Sequence, residues 1–162
     1  MDKLLLVKQL ADKLRAAGKS ARRASQDAAE EAREGATPAE RREDARVALE
    51  NQGLARGQEK RAAQAAADVA ALEKFAPGPF PANARVGLGA ILEVEDEDGG
   101  RTLFLAPVGA GEELTVPDGD GFLSVVTPYS PVGKAVLGKR CGESVEVMVA
   151  GEIRELTITF VG

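Results

Sequence analysis

The sequence contains no histidine and no tryptophan, and only one tyrosine and one cysteine. Without an imidazole there is no Ser-His dyad, no histidine general base and no histidine-ligated metal centre. Cys141 stands alone, so it forms no internal disulfide and has no Cys or His neighbours for a zinc site. A small apolar packing role is expected of it. Five phenylalanines in 162 residues argue against a deep aromatic ligand pocket. No run approaches the ~20 apolar residues of a membrane span. The stretch Leu4-Leu5-Leu6-Val7 is too short for a signal-peptide core and continues into charged residues. A cytoplasmic protein with no membrane partner is expected.

Basic residues are scarce in the second half. The net charge is −5, yet residues 1–76 carry 15 Lys and Arg against 13 Asp and Glu, while residues 77–162 carry 6 against 13. The acidic excess makes the second half a poor partner for duplex DNA, and no sequence-specific DNA binding is expected.

Alanine is abundant, and its spacing is informative. Val7, Leu10, Leu14, Ala17, Ala21, Ala24 and Ala28 are separated by alternating steps of three and four, which is a coiled-coil seam. The first helix is expected over about Asp2 to Glu34, with Gly18 and Ser20 as weak interior positions. Gly35-Ala36 is the turn. Thr37-Pro38-Ala39-Glu40 then reads as a capping box with proline at N1. A second helix returns through Ala48, Ala55, Ala62, Ala65, Val69 and Leu72 to about Phe75. At ~1.5 Å per residue a helix of this length reaches ~55 Å. Gly53 and Gly57, four apart in a polar context, predict a close approach to the first helix or a local bend.

The breakers Ala76-Pro77-Gly78-Pro79-Phe80-Pro81 end the helical region, and the hydrophobic period falls to two after them. Strands are expected at Ala90–Glu95, Arg101–Ala106 and Phe122–Thr127, with loop over 107–121. Ser130-Pro131 opens a short helix that Gly138 stops, and Ser144–Val149 with Ile153–Phe160 forms a closing hairpin around Ala150-Gly151. Asp118-Gly119-Asp120-Gly121 lacks the acids of a calcium-binding loop and reads as a turn. The expected class is α+β: an antiparallel helical hairpin over 1–76 with its tip near 35–44, a proline-rich linker over 77–83, and a small antiparallel α+β domain over 84–162.

The segment Tyr129-Ser130-Pro131-Val132-Gly133-Lys134-Ala135-Val136-Leu137-Gly138-Lys139-Arg140 resembles the Ser-Pro-x-x-x-x-x-φ-Gly-Lys helix of the Gre family of transcript-cleavage factors. The strand before it and Val145-Glu146-Val147 after it also fit. Glu31-Ala32-Arg33-Glu34 and Gln52-Gly53-Leu54-Ala55-Arg56-Gly57 are similar to the family's approach to, and return from, the hairpin tip. The resemblance implies an FKBP-like second domain that docks at the rim of the secondary channel of bacterial RNA polymerase. The coiled coil would enter that channel and reach the nascent RNA 3′ end only indirectly. Acidic tip residues would hold a magnesium ion shared with the polymerase active centre, and the polymerase would cleave backtracked RNA by two-metal chemistry. On this reading the chain is no enzyme and has no cofactor of its own.

The tip departs from the family pattern Asp-x-x-Glu. Aligning forward from Glu31 puts Thr37 and Glu40 at the pair; aligning backward from Gln52-Gly53 puts Pro38 and Arg41 there. The acids present are Glu40, Glu43 and Asp44, of which 40 and 43, or 40 and 44, share a helix face. They are candidates for the cleavage role, with Glu40 and Asp44 as magnesium ligands, because magnesium takes oxygen donors. The competing account is structural: Glu40 completes the capping box, and the other two acids favour the helix start. Arg41, Arg42 and Arg46 either face RNA and channel acids or pair with these carboxylates. Ser130, Pro131, Lys134, Lys139 and Arg140 are candidate polymerase contacts, or else helix-cap and helix-end residues. Three functions follow: a cleavage-stimulating elongation factor, a binding-only channel regulator, or an FKBP-like isomerase or chaperone. Few aromatics are available for a site of the last kind.

Overall fold

The structure, a computed structural model, describes residues 2–34, 41–81, 83–116, 119 and 121–162, with the backbone alone at 32–34 and 41–44. The chain divides into two compact units, residues 12–70 and residues 1–11 with 71–162. Helices α1 (Lys3–Glu34) and α2 (Arg41–Glu73) both cross that division, so the cut falls inside the helices rather than at the prolines. Both consist largely of Ala, Leu, Arg, Lys, Glu and Gln, the strongest helix formers. The turn Gly35-Ala36 and the capping box Thr37–Glu40 lie outside the described residues.

Within residues 12–70 the seam is built from small side chains. On α1, Leu14 is buried and Gly18, Ala21, Ala24, Ser25 and Ala28 are half-buried. Facing them on α2 are Ala48, Asn51, Ala55, Gln58, Ala62, Ala65 and Val69, in unbroken steps of three and four. Ala17, expected in the seam, is exposed, and Gly18 takes that place. The reason is clearance. A Cβ on Gly18 would lie 3.0 Å from the Ala65 Cβ, so the helices approach tightly here, where one has no side chain. Gly53 and Gly57 are exposed with nothing within 4 Å of an added Cβ. The close approach expected there is at Gly18 instead. Ser25 Oγ donates to the Ala55 carbonyl across the seam at 2.9 Å, which satisfies a polar group that small neighbours would otherwise strand.

The other unit is a six-stranded sheet in the order β3-β4-β2-β1-β6-β5. Its strands are β1 (Ile91–Asp96), β2 (Gly99–Leu105), β3 (Glu113–Thr115), β4 (Phe122–Val126), β5 (Ser144–Val149) and β6 (Glu152–Val161), with helix α3 (Pro131–Val136) between β4 and β5. The sheet is mixed, a correction to the antiparallel expectation: β2 and β4 run parallel, with Phe104 opposite Val125. The cause is β3, a three-residue edge strand inside the segment expected to be loop. The chain leaves β2, passes the position of β4 to form the edge, and turns back antiparallel to β3. That return makes β4 parallel to β2. The β5–β6 hairpin closes through Ala150 (φ 53°) and Gly151 (φ 88°), as the sequence leads one to expect.

Alternation along the strands gives the sheet two apolar faces. Leu92, Val94, Leu103, Leu105, Val126, Val145, Val147, Leu156 and Ile158 form one core with Val86 and Ala90, covered by Val132, Ala135 and Val136 of α3. Ile91, Phe104, Leu114, Leu123 and Val125 are buried on the opposite face. The ends of the long helices that belong to this unit supply the cover there: Leu6, Leu10 and Leu72 are at most 1% exposed. Gln9 fixes the seat. Its amide nitrogen donates to the Thr115 carbonyl and its carbonyl accepts from the Thr115 N–H, each at 3.1 Å. The side chain thereby stands in for a neighbouring strand along the outer edge of β3. Lys3 Nζ donates to the Gly78 carbonyl at 3.1 Å and lies 4.5 Å from the centre of the Phe80 ring.

Candidate functional site

The segment from β4 through α3 is built around one carbonyl. Thr127 directly follows β4, and its carbonyl accepts both Ser130 N–H (3.0 Å) and Ser130 Oγ–H (2.8 Å). Ser130 Oγ in turn accepts from the N–H groups of Thr127 and Gly133, each at 3.2 Å. Ser130 is therefore an N-cap whose hydroxyl is fully engaged, with Pro131 following where a missing N–H costs nothing. Gly133 packs directly on this turn: a Cβ there would lie 1.9 Å from the Thr127 oxygen. The sequence pattern marks the cap but does not reveal why glycine follows two residues after proline.

The helix ends in a second backbone clasp. Gly138, at φ 77°, donates to the Val86 carbonyl at 2.8 Å, and Val86 N–H donates to the Lys139 carbonyl at 2.7 Å. Arg85 Nη1 donates to the Gly138 carbonyl at 2.9 Å, adding a cation beside Lys139 and Arg140 that motif reading missed. Glu143 lies 3.7 Å from Lys139 Nζ and accepts from Arg140 N–H at 2.7 Å. Lys139 thus has a counter-charge, whereas among the described residues Arg140 is held through its backbone N–H. Lys134 is exposed and lies in the last turn of α3.

These constraints produce a defined outer surface. Tyr129 is 80% exposed and Leu137 43%, beside exposed Pro131, Lys134 and Arg140. A large ring and an aliphatic side chain left in water next to cations make a surface suited to protein contact. Cys141 is also exposed rather than packed: its thiol donates to the Thr159 carbonyl at 3.1 Å. The tight turn through Arg140–Glu143 directs it outward, a correction to the packing role expected of it.

The expected tip residues are not brought together by anything described. Glu40 lies outside the described residues, and Arg41, Arg42, Glu43 and Asp44 belong to the first turn of α2 by backbone, with their side chains outside the description. Arg46 is described and pairs with Glu50 at 3.2 Å along the helix, both well exposed. Among the described residues there is no group of three or more Cys, Asp or Glu that could hold a metal ion. No described helix is long and apolar enough to cross a membrane.

Residues 81–162 match the family model described as transcription elongation factor, GreA/GreB, C-terminal. The transcription elongation factor GreA of Polaromonas naphthalenivorans (strain CJ2) is 31% identical over 115 residues, spanning 71% of this chain and 67% of that protein. Among solved structures, the GreA factor homolog Gfh1 of Thermus thermophilus aligns over 98% of this chain and 94% of its own at 17% identity and a TM-score of 0.37. A GreA/GreB factor from Nitrosomonas europaea aligns over 60% and 77% at 21% identity and a TM-score of 0.36. The α3 motif, the sheet around it and this sequence match define a transcription elongation factor. The chain belongs to the GreA/GreB family.

Proposed function

We propose that the protein binds bacterial RNA polymerase, enters its secondary channel with the α1–α2 hairpin, and stimulates cleavage of backtracked RNA by the polymerase itself. The observation carrying this reading is family membership together with the retained Ser130-Pro131 cap and its exposed surface at Tyr129, Pro131, Lys134, Leu137 and Arg140. That surface contacts the channel rim. Lys139 contributes charge there, and Ser130 acts by holding the α3 turn rather than by touching the partner. Cleavage needs no nucleophile from this chain, which agrees with the lack of histidine. Glu40 and Asp44, with Glu43 alongside, would hold the magnesium of the polymerase active centre, since carboxylates are the donors that ion prefers. Arg41, Arg42 and Arg46 line the approach. A protein of this kind works in the cytoplasm.

A second reading is favoured by one specific feature. Thr37 or Pro38 stands where the family pattern has its aspartate. A hairpin without that acid occupies the channel and regulates the polymerase without cleavage. Purified backtracked elongation complexes distinguish the two. RNA shortening above the factor-free rate, lost when Glu40, Glu43 and Asp44 are changed together to Ala, supports the first. Binding without shortening selects the second. Failure to bind polymerase refutes both.

A further inference from the structure

One side of the 12–70 unit carries a groove of about 330 Å³ with an apolar floor of Leu14, Gly18, Ala62, Ala65 and Val69. It exists because the side chains of this seam are short: methyl groups leave a trough where leucines would meet. The α1 rim is cationic, with Arg15, Lys19 and Arg22 at steps of four and three along one face. Residues flanking a coiled-coil seam ordinarily meet opposite charges on the facing helix. Here the α2 rim is Ala66. Arg15 is engaged by Asp12 at 2.9 Å, whereas Lys19 and Arg22 are exposed and make no ion pair among the described residues. The trough on the other side of the hairpin differs. Its lining includes Ala17, Ala21, Gln58 and Arg61, with no cationic row.

We propose that this groove docks an acidic protein segment of the polymerase channel wall, one aliphatic side chain on the alanine floor and its carboxylates against Lys19 and Arg22. The inference rests on the reading that the hairpin enters that channel. Two features favour protein over RNA. No aromatic side chain lines the groove to stack a base. A floor of Leu, Val and Ala gains from an aliphatic group and gives nothing to a ribose-phosphate chain. Charge complementarity then selects an acidic segment and sets its register along α1.

Labelled protein binding to purified bacterial elongation complexes tests this, with circular dichroism confirming that each variant keeps its helix content. Lys19→Glu combined with Arg22→Glu weakens binding about tenfold or more and reverses much of its salt dependence. Ala66→Trp fills the groove without changing charge and weakens binding as well. Arg61→Glu, on the other side, changes affinity less than about threefold, as an isolated surface charge does. If both groove variants bind like the unaltered protein, the groove assignment is wrong while channel entry stands. If the unaltered protein does not bind polymerase, both fall together. A short single-stranded RNA is the second probe. If it binds, loses binding on charge reversal, and Ala66→Trp has no effect on polymerase, the surface is one for nucleic acid and the proposal is overturned.

Discussion

Replacing Gly133 by alanine should be among the most damaging conservative changes in this chain. In an open helix the substitution is favourable by about 1 kcal/mol, because alanine loses less backbone entropy than glycine. At Gly133 the new Cβ would sit 1.9 Å from the Thr127 oxygen and 2.7 Å from its carbon, where 3.4 Å is ordinary contact. Helix α3 or the end of β4 must therefore move by about 1.5 Å, the difference 3.4 − 1.9. Neither is free to do so. The Thr127 carbonyl holds two bonds from Ser130, and Val126 before it accepts from Ala106 N–H at 2.9 Å. Overpacking costs about 1–3 kcal/mol, and a lost hydrogen bond about 1 more. Set against the propensity gain, the net expectation is a destabilisation of about 1–3 kcal/mol. Gly57→Ala is the matched control, since nothing lies within 4 Å of its added Cβ, and it should stabilise by about 1 kcal/mol. Denaturant unfolding followed through Tyr129, the only tyrosine, reports on the α3 region, and circular dichroism on the helices. Ser130→Ala should not rescue Gly133→Ala, because the obstructing atom is a backbone oxygen. A Gly133→Ala protein within about 0.5 kcal/mol of the original would refute the account of this turn.

Two further predictions concern the helices. Gly18→Ala places methyl groups 3.0 Å apart and should cost about 1 kcal/mol despite better helix propensity, while Gly18→Ala with Ala65→Gly should restore most of the loss; additive effects in the double-mutant cycle would contradict the close approach. Burial lowers the Lys3 pKa below its usual 10.5, so in the window beneath that value the unfolded chain holds more protons than the folded one, and stability rises with pH. Lys3→Met removes this dependence; denaturant titrations across the window should show the original protein gaining on the variant as pH approaches 10.5, and a parallel response of the two would dismiss the buried-ammonium argument.

The elements with strong local signals were readable in advance. Ser130-Pro131 as a cap, the Ala150-Gly151 turn and the strands on either side of it follow from chemistry within a few residues. What escaped depends on distant partners. Ala17 and Gly18 both continue a seam in steps of three and four, and only the facing Ala65 decides between them. The edge strand β3 is three residues long, flanked by Gly109, Gly111 and Pro117, and its outer partner is a glutamine side chain 106 positions away. No window of sequence contains that pair, so the parallel strand it creates was hidden too. At the candidate surface, Tyr129 to Arg140 was legible as a motif, but the joining of Arg85 to Gly138 was not.

The division of the chain at 11 and 71 also sets a timetable. The strands that Leu6 and Leu10 help to cover are made only after the whole 12–70 segment has been synthesised. At about 5–20 residues per second that gap is roughly 3–12 s, whereas a helix forms in microseconds. The nascent hairpin can therefore fold long before its first turns find their sheet. Meanwhile Leu6, Val7 and Leu10, all buried in the folded unit, remain an uncovered apolar stripe on the nascent helix. Chaperone capture of the growing polypeptide should concentrate on that stripe and end once β4 has left the ribosome.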